Sequence, residues 1–257
     1  MKIRTRLVIG ILATGATVAG LLLSADAAGA AVKSSITIKT SKSTLMTGTP
    51  EFFTGVARPH ATPRTVELQR SSHGKWTTVD TRRTKKDGTY RFRWIIAAVG
   101  RSTFRTVVVK NSHAAGASSK KVSVTALKWH SLPSLAPVTE CYICFTGAVD
   151  INGKHFDRGL YGDEGFQDSD YVEYNLKRSC RTFSGTLGLR DDSSDNAGST
   201  MSVSADGHTL YSAHFGLGES TKVTRSIVGN LRIKLRWTYA GDDPHPAYGN
   251  PRILCSW

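Results

Sequence analysis

The chain has 257 residues, of which 39% are hydrophobic, with 34 Lys and Arg against 20 Asp and Glu for a net charge of +14. Apart from one N-terminal segment, no stretch is apolar enough to span a bilayer. G-x-S-x-G, H-E-x-x-H and Gly-rich phosphate loops are also missing, which argues against the common hydrolase and nucleotide-dependent chemistries.

In chain order, Lys2, Arg4 and Arg6 precede an apolar run from Leu7 to Leu23 and the small-residue sites Ala25-Asp26-Ala27 and Ala28-Gly29-Ala30. That pattern reads as a cleaved signal peptide over residues 1–30, so the expected location is secreted or extracellular, in association with a cell wall, without a membrane span after cleavage. Residues 34–127 follow with 17 Lys and Arg against 4 Asp and Glu, whereas residues 129–257 hold 12 against 15. Such asymmetry predicts two units, the first suited to a polyanion. For an exported protein that partner is an anionic wall polymer, with no specific nucleic acid expected.

The basic segment alternates in "SITIKT", "RTVELQR", "KWTTVD", "YRFRW" and "TFRTVVVK", with turn signals at Thr47-Gly48-Thr49-Pro50, Ser72-His73-Gly74 and Asp87-Gly88 between them. Several short strands in this length predict a β-sandwich, and the runs "GTPEFFTGVARP", "VELQRSSHGKWTTVDT" and "DGTYRFRW" resemble the Ig-like modules of secreted bacterial proteins. Period-2 spacing assigns Val66, Leu68, Trp76, Val79, Tyr90, Phe92 and Trp94 to its core. "NSHAAGASSKK" is expected as a hairpin loop and "VSVTAL" as the closing strand. Residues 128–140, stiffened by Pro133 and Pro137, are expected as a linker.

The rest, 141–257, also reads as β throughout. Its Tyr174-Asn175-Leu176, the run Gly188-Leu189-Arg190-Asp191-Asp192-Ser193-Ser194 after Phe183, Asp206-Gly207 before Tyr211, and Gly229 before Leu231, Ile233 and Leu235 occur in fixed order. In order and spacing these segments resemble the NPCBM family of carbohydrate-binding modules, related to the family 51 modules. The resemblance implies a galactose-binding-like jelly roll, so the fold expected is all-β: two β-sandwich domains in one monomeric, non-catalytic chain that binds polysaccharide. A secreted structural or protein-interaction module without sugar affinity is the alternative.

Four cysteines in an oxidising compartment permit two disulfides in three pairings. The resemblance implies a Cys180–Cys255 bridge, which leaves Cys141 to pair with Cys144. Asp191, Asp192 and Asp195 offer hard oxygens of the type calcium takes, although the run lacks the Gly and Glu of an EF-hand and a solvated turn is the competing reading; no other cofactor is implied. Paired acids at Asp163-Glu164, Asp191-Asp192 and Asp242-Asp243 point to opposite faces if extended, which makes each pair poorly suited to flank a glycosidic bond.

A sugar site needs an aromatic face beside hydrogen-bonding groups on loops. Two stretches qualify: Tyr161 with Asp163 and Glu164, and Tyr239 with Asp242, His245, Tyr248 and Asn250. The chain departs from the family pattern at both, with Gly159-Leu160-Tyr161-Gly162-Asp163 for G-L-G-x-H and Pro244-His245-Pro246-Ala247-Tyr248 for D-H-A-D-W. Trp237, in step with Ile233 and Leu235, is expected in the core. Tyr248 is expected to stack on ligand.

Overall fold

The computed structural model describes residues 31–139, 141, 144–163 and 168–257. Residues 1–30 and Glu164 therefore lie outside the described residues. Alternating residues build the first sandwich. One sheet holds β1 (Ser35–Ile36), β2 (Lys39–Thr40), β4 (Pro50–Arg58) and β7 (Thr89–Ile95). The other holds β3 (Thr44–Met46), β5 (Thr65–Ser72), β6 (Lys75–Arg83), β8 (Gly100–Val108), β9 (Ala117–Ser118) and β10 (Val122–Ser131). Val66, Leu68, Tyr90 and Phe92 turn inward as their spacing predicts, and Phe53 meets Phe104 at 4.6 Å between ring centroids.

Trp76 does not join them. It lies half-buried on β6, the edge strand, and its ring faces outward under the Arg105 guanidinium at 4.3 Å. The alternation is real, but the outer face of an edge strand satisfies it as well as the inner one, and a cation replaces the core as its cover. Trp94 and Val79 are partly buried against the core.

The second sandwich pairs β13 (Ser169–Asn175), β18 (Arg232–Thr238), β15 (Gly198–Ala205) and β16 (His208–Gly216), in that order, against a sheet of β11 (Cys144–Ile151), β12 (Lys154–Gly162), β14 (Cys180–Leu189), β17 (Ser220–Ser226) and β19 (Pro246–Cys255). On β18, Ile233, Leu235 and Trp237 are fully buried while Arg232, Lys234 and Arg236 face away from the core. Burying each large apolar side chain contributes about 1.5–3 kcal/mol. Disulfides join Cys180 to Cys255 across the β14–β19 ladder, and Cys141 to Cys144.

The expected linker begins inside a strand. Lys128–Ser131 of β10 pair with Arg252–Cys255 of β19, so one eleven-stranded sheet runs through both sandwiches. Residues after Ser131 form a single 3-10 turn, Leu132–Ser134, whose Leu132 is buried in the second core. Residues 32–257 form one compact unit.

Candidate functional site

The turn leaving β14 is locked to two neighbours. Arg190 N–H donates to the His245 carbonyl at 2.9 Å, and Asp191 N–H to the Asp150 carbonyl at 3.0 Å. The segment after β18 crosses the same turn at Gly241, whose φ is +75° and where a Cβ would come within 2.0 Å of the Asn196 carbonyl oxygen. Only glycine fits there. Asn196 Nδ2 then donates to Asp242 Oδ2 at 2.7 Å, and Ser193 Oγ accepts from His245 N–H at 3.1 Å.

Arg190 is the hub that results. Its guanidinium pairs with Asp163 at 3.1 Å, pairs with Asp192, and lies 4.7 Å above the Tyr161 ring. Asp192 also faces His245 Nδ1 at 3.3 Å, and His245 Nε2 faces Asp243 at 3.2 Å. Tyr161 stacks on Phe145 at 5.6 Å with an interplanar angle of 28°. Phe145 is 44% exposed, so this end of the sandwich presents an open aromatic face beside charged hydrogen-bonding groups. Beside Arg190, Asp191 and Asp192 lies a cavity of 340 Å³ that reaches Asp150.

Tyr161, Asp163 and His245 thus meet around Arg190, and Asp242 stands beside them through Asn196. Tyr239 is half-buried; its hydroxyl accepts from Trp237 Nε1 at 2.9 Å, and burial pushes its pKa up to about 12. Asn250 lines a different depression, on the outer face of β19 with Arg252.

Tyr248 is a correction. It is fully buried in the core of the second sandwich, its ring 6.0 Å from that of Trp237, and its hydroxyl lies 2.8 Å from the carbonyls of Ser202 and Arg236. Burial drives its pKa upward. Pro246 opens β19 rather than sitting in a loop, so the strand already carries Tyr248 inward.

Two of the three aspartates of the calcium reading turn to protein partners. Asp191 Oδ2 accepts from Gly153 N–H at 2.9 Å and Asp192 binds Arg190, so the carboxylates diverge to separate partners. Among the described residues no group of three or more His, Cys, Asp or Glu could hold a metal. Arg190 and Phe145 were not singled out from sequence. The Arg190 signal was its place in the Gly188–Ser194 run, and that of Phe145 its position opposite Tyr161 on the next strand.

Residues 144–253 match the family model described as NPCBM/NEW2 domain. No curated protein sequence matches the chain. Among solved structures the chain is similar to a family 51 carbohydrate-binding module from Clostridium perfringens in complex with methyl-galactose, at 15% identity and a TM-score of 0.42, covering 49% of this chain and 99% of that one. A second, containing a family 51 module in complex with GlcNAc, also from Clostridium perfringens, is 12% identical at TM-score 0.42, covering 63% of this chain and 39% of that one. A family 36 module in complex with calcium and xylotriose is 13% identical at TM-score 0.26, covering 49% and 97%.

Proposed function

We propose, from the match of residues 144–253 to the NPCBM/NEW2 domain, that the chain is a secreted, non-catalytic carbohydrate-binding protein that attaches to cell-wall or extracellular polysaccharide. The observation that carries this is the exposed Phe145 ring, stacked on the half-buried Tyr161, beside the Asp163–Arg190–Asp192–His245 cluster. Sugars offer apolar C–H faces to such a ring and hydroxyls to such charges. The same cluster is ill suited to glycoside hydrolysis, which needs two carboxyls free to flank the scissile bond. Here Asp163 and Asp192 are both held by the Arg190 guanidinium. Signal-directed export and the anionic-polymer affinity of the basic first sandwich belong to the same reading.

A glycan array probed with the full chain and with Phe145→Ala tests it. Phe145 is exposed, so the variant keeps its fold while losing at least roughly tenfold in retention on whichever neutral glycan the parent selects. Failure of the parent to bind any neutral glycan, or full binding of that glycan by the variant, refutes the reading.

A further inference from the structure

A second surface stands where the two sandwiches share their sheet. β19 has one edge divided between two partners: β12 pairs with Gly249 and its preceding residues, and β10 takes over from Arg252 onward. Between them Asn250 adopts φ +47° and Pro251 interrupts the ladder. On the outward face this break opens into two adjoining depressions of 140 and 250 Å³, which share Asn250 and Arg252. The cross-strand register sets their floor. Arg252 lies directly between Ser131 and Ser184, and Gly249 between Gly159 and Thr186.

The charge here is one-sided. Lys154, Arg158, Lys222 and Arg252 line the depressions, all are exposed, and no carboxylate lines either one. Among the described residues none of the four makes an ion pair. This holds in a segment, 129–257, whose acids outnumber its bases. Between the cations stand neutral hydrogen-bonding groups: the Asn250 amide, Thr186, and Ser131, whose hydroxyl is buried without a partner among the described residues.

We infer that this junction groove binds an acidic polysaccharide, its anionic groups meeting the four cations and its hydroxyls the Ser, Thr and Asn side chains. Aromatic geometry separates this ligand from single-stranded nucleic acid, which uses open rings on which successive bases stack. Both rings of the groove are already covered. Trp129 lies under Arg252 at 4.5 Å, and Phe156, 4% exposed, packs across Gly249 with Lys154 at 5.2 Å. The same sheet continues into the first sandwich, where Arg105 and Lys121 surround Trp76. A polymer longer than the groove thus finds further cations beyond it.

The inference does not rest on the loop site around Arg190, and its test keeps the two apart. Binding of the full chain is measured on immobilised polygalacturonate, dextran sulfate, neutral dextran and a single-stranded oligonucleotide. Expected is retention on the two acidic polysaccharides alone, weakening by roughly one to two orders of magnitude between about 50 mM and about 200 mM salt, as for a polyanion held by a few charges. Preference for polygalacturonate or for dextran sulfate tells carboxylate from sulfate recognition. Arg158→Gln/Arg252→Gln loses at least roughly tenfold, whereas Arg91→Gln/Arg93→Gln, which removes the same charge from the opposite sheet of the first sandwich, loses less than about twofold. Phe145→Ala retains full polyanion binding even where neutral-glycan retention is gone. Equal loss by the two arginine pairs, equally tight binding of the oligonucleotide, or no retention on either acidic polysaccharide overturns the inference.

Discussion

Replacing Tyr248 separates a structural tyrosine from a ligand-stacking one. Its ring is fully buried beside Trp237, and its hydroxyl reaches from β19 across the core to the carbonyls of Ser202 on β15 and Arg236 on β18, which are themselves cross-strand partners. One side chain therefore ties the two sheets together. Tyr248→Phe removes the hydrogen bond alone, worth about 0.5–1.5 kcal/mol net. Tyr248→Ala also leaves a cavity the size of a ring, at about 3–5 kcal/mol for an aromatic deletion. In a unit of this length each kcal/mol moves the melting temperature by about 2–4 °C, so the expected falls are about 1–6 °C and about 6–20 °C. Thermal melts by circular dichroism measure them, and glycan retention well below the melt stays at the parental level. An alanine variant that melts with the parent and loses only its glycan would return Tyr248 to the ligand and refute the packing argument.

Three further outcomes are expected. Cys180→Ser/Cys255→Ser, which opens a loop of 75 residues, lowers unfolding free energy by about 2–5 kcal/mol in a urea titration without reductant, and an unchanged midpoint contradicts this. Trp76→Ala, at the half-exposed β6 ring, costs under about 1 kcal/mol whereas Phe104→Ala, fully buried, costs about 3–5 kcal/mol; equal melting temperatures would restore Trp76 to the core. Burial raises Tyr90, Tyr174 and Tyr239 to about 12 and Tyr248 as well, so the folded state holds these protons more tightly than the unfolded state. Stability from these groups is full below about pH 10 and is lost as pH rises towards 12, with tyrosinate absorbance appearing together with loss of circular dichroism. Ionisation of all four in a still-folded protein near pH 10 rules that out.

How far the chain could be read in advance depended on whether a pattern had one physical solution. "RIKLRW" on β18 had one, because three large apolar residues in step on a central strand can only face the core, and they do. "KWTTVD" had two, since β6 is an edge strand whose outer face is roofed by long cationic side chains. Sequence periodicity does not distinguish the faces of a strand at the rim. "PHPAY" misled in the opposite direction: two prolines read as loop, yet proline is admissible as the first residue of a strand, and Pro246 holds that place. At the site, the residues that looked suitable one at a time, Tyr161, Asp163 and His245, do converge, but the side chain that gathers them is Arg190. Its role follows from a backbone hydrogen bond to His245 and a turn anchored on Asp150, contacts between segments far apart in the chain.

The boundary between the sandwiches was the least legible element, for the same reason carried further. Pro133 and Pro137 mark a break in regular structure, and the break exists, but it comes after β10 has already crossed from one sandwich into the other. Lys128 finds its partner at Cys255, a pairing that no local window contains. The physical consequence reaches function. A flexible linker would let the two modules bind separately, joined only by an effective concentration set by linker length. A shared strand ladder instead holds the basic face of the first sandwich and the Arg158–Arg252 groove at one spacing. A polymer that engages both then incurs little ordering cost from the protein, which favours a long, stiff, regularly charged chain over a short ligand.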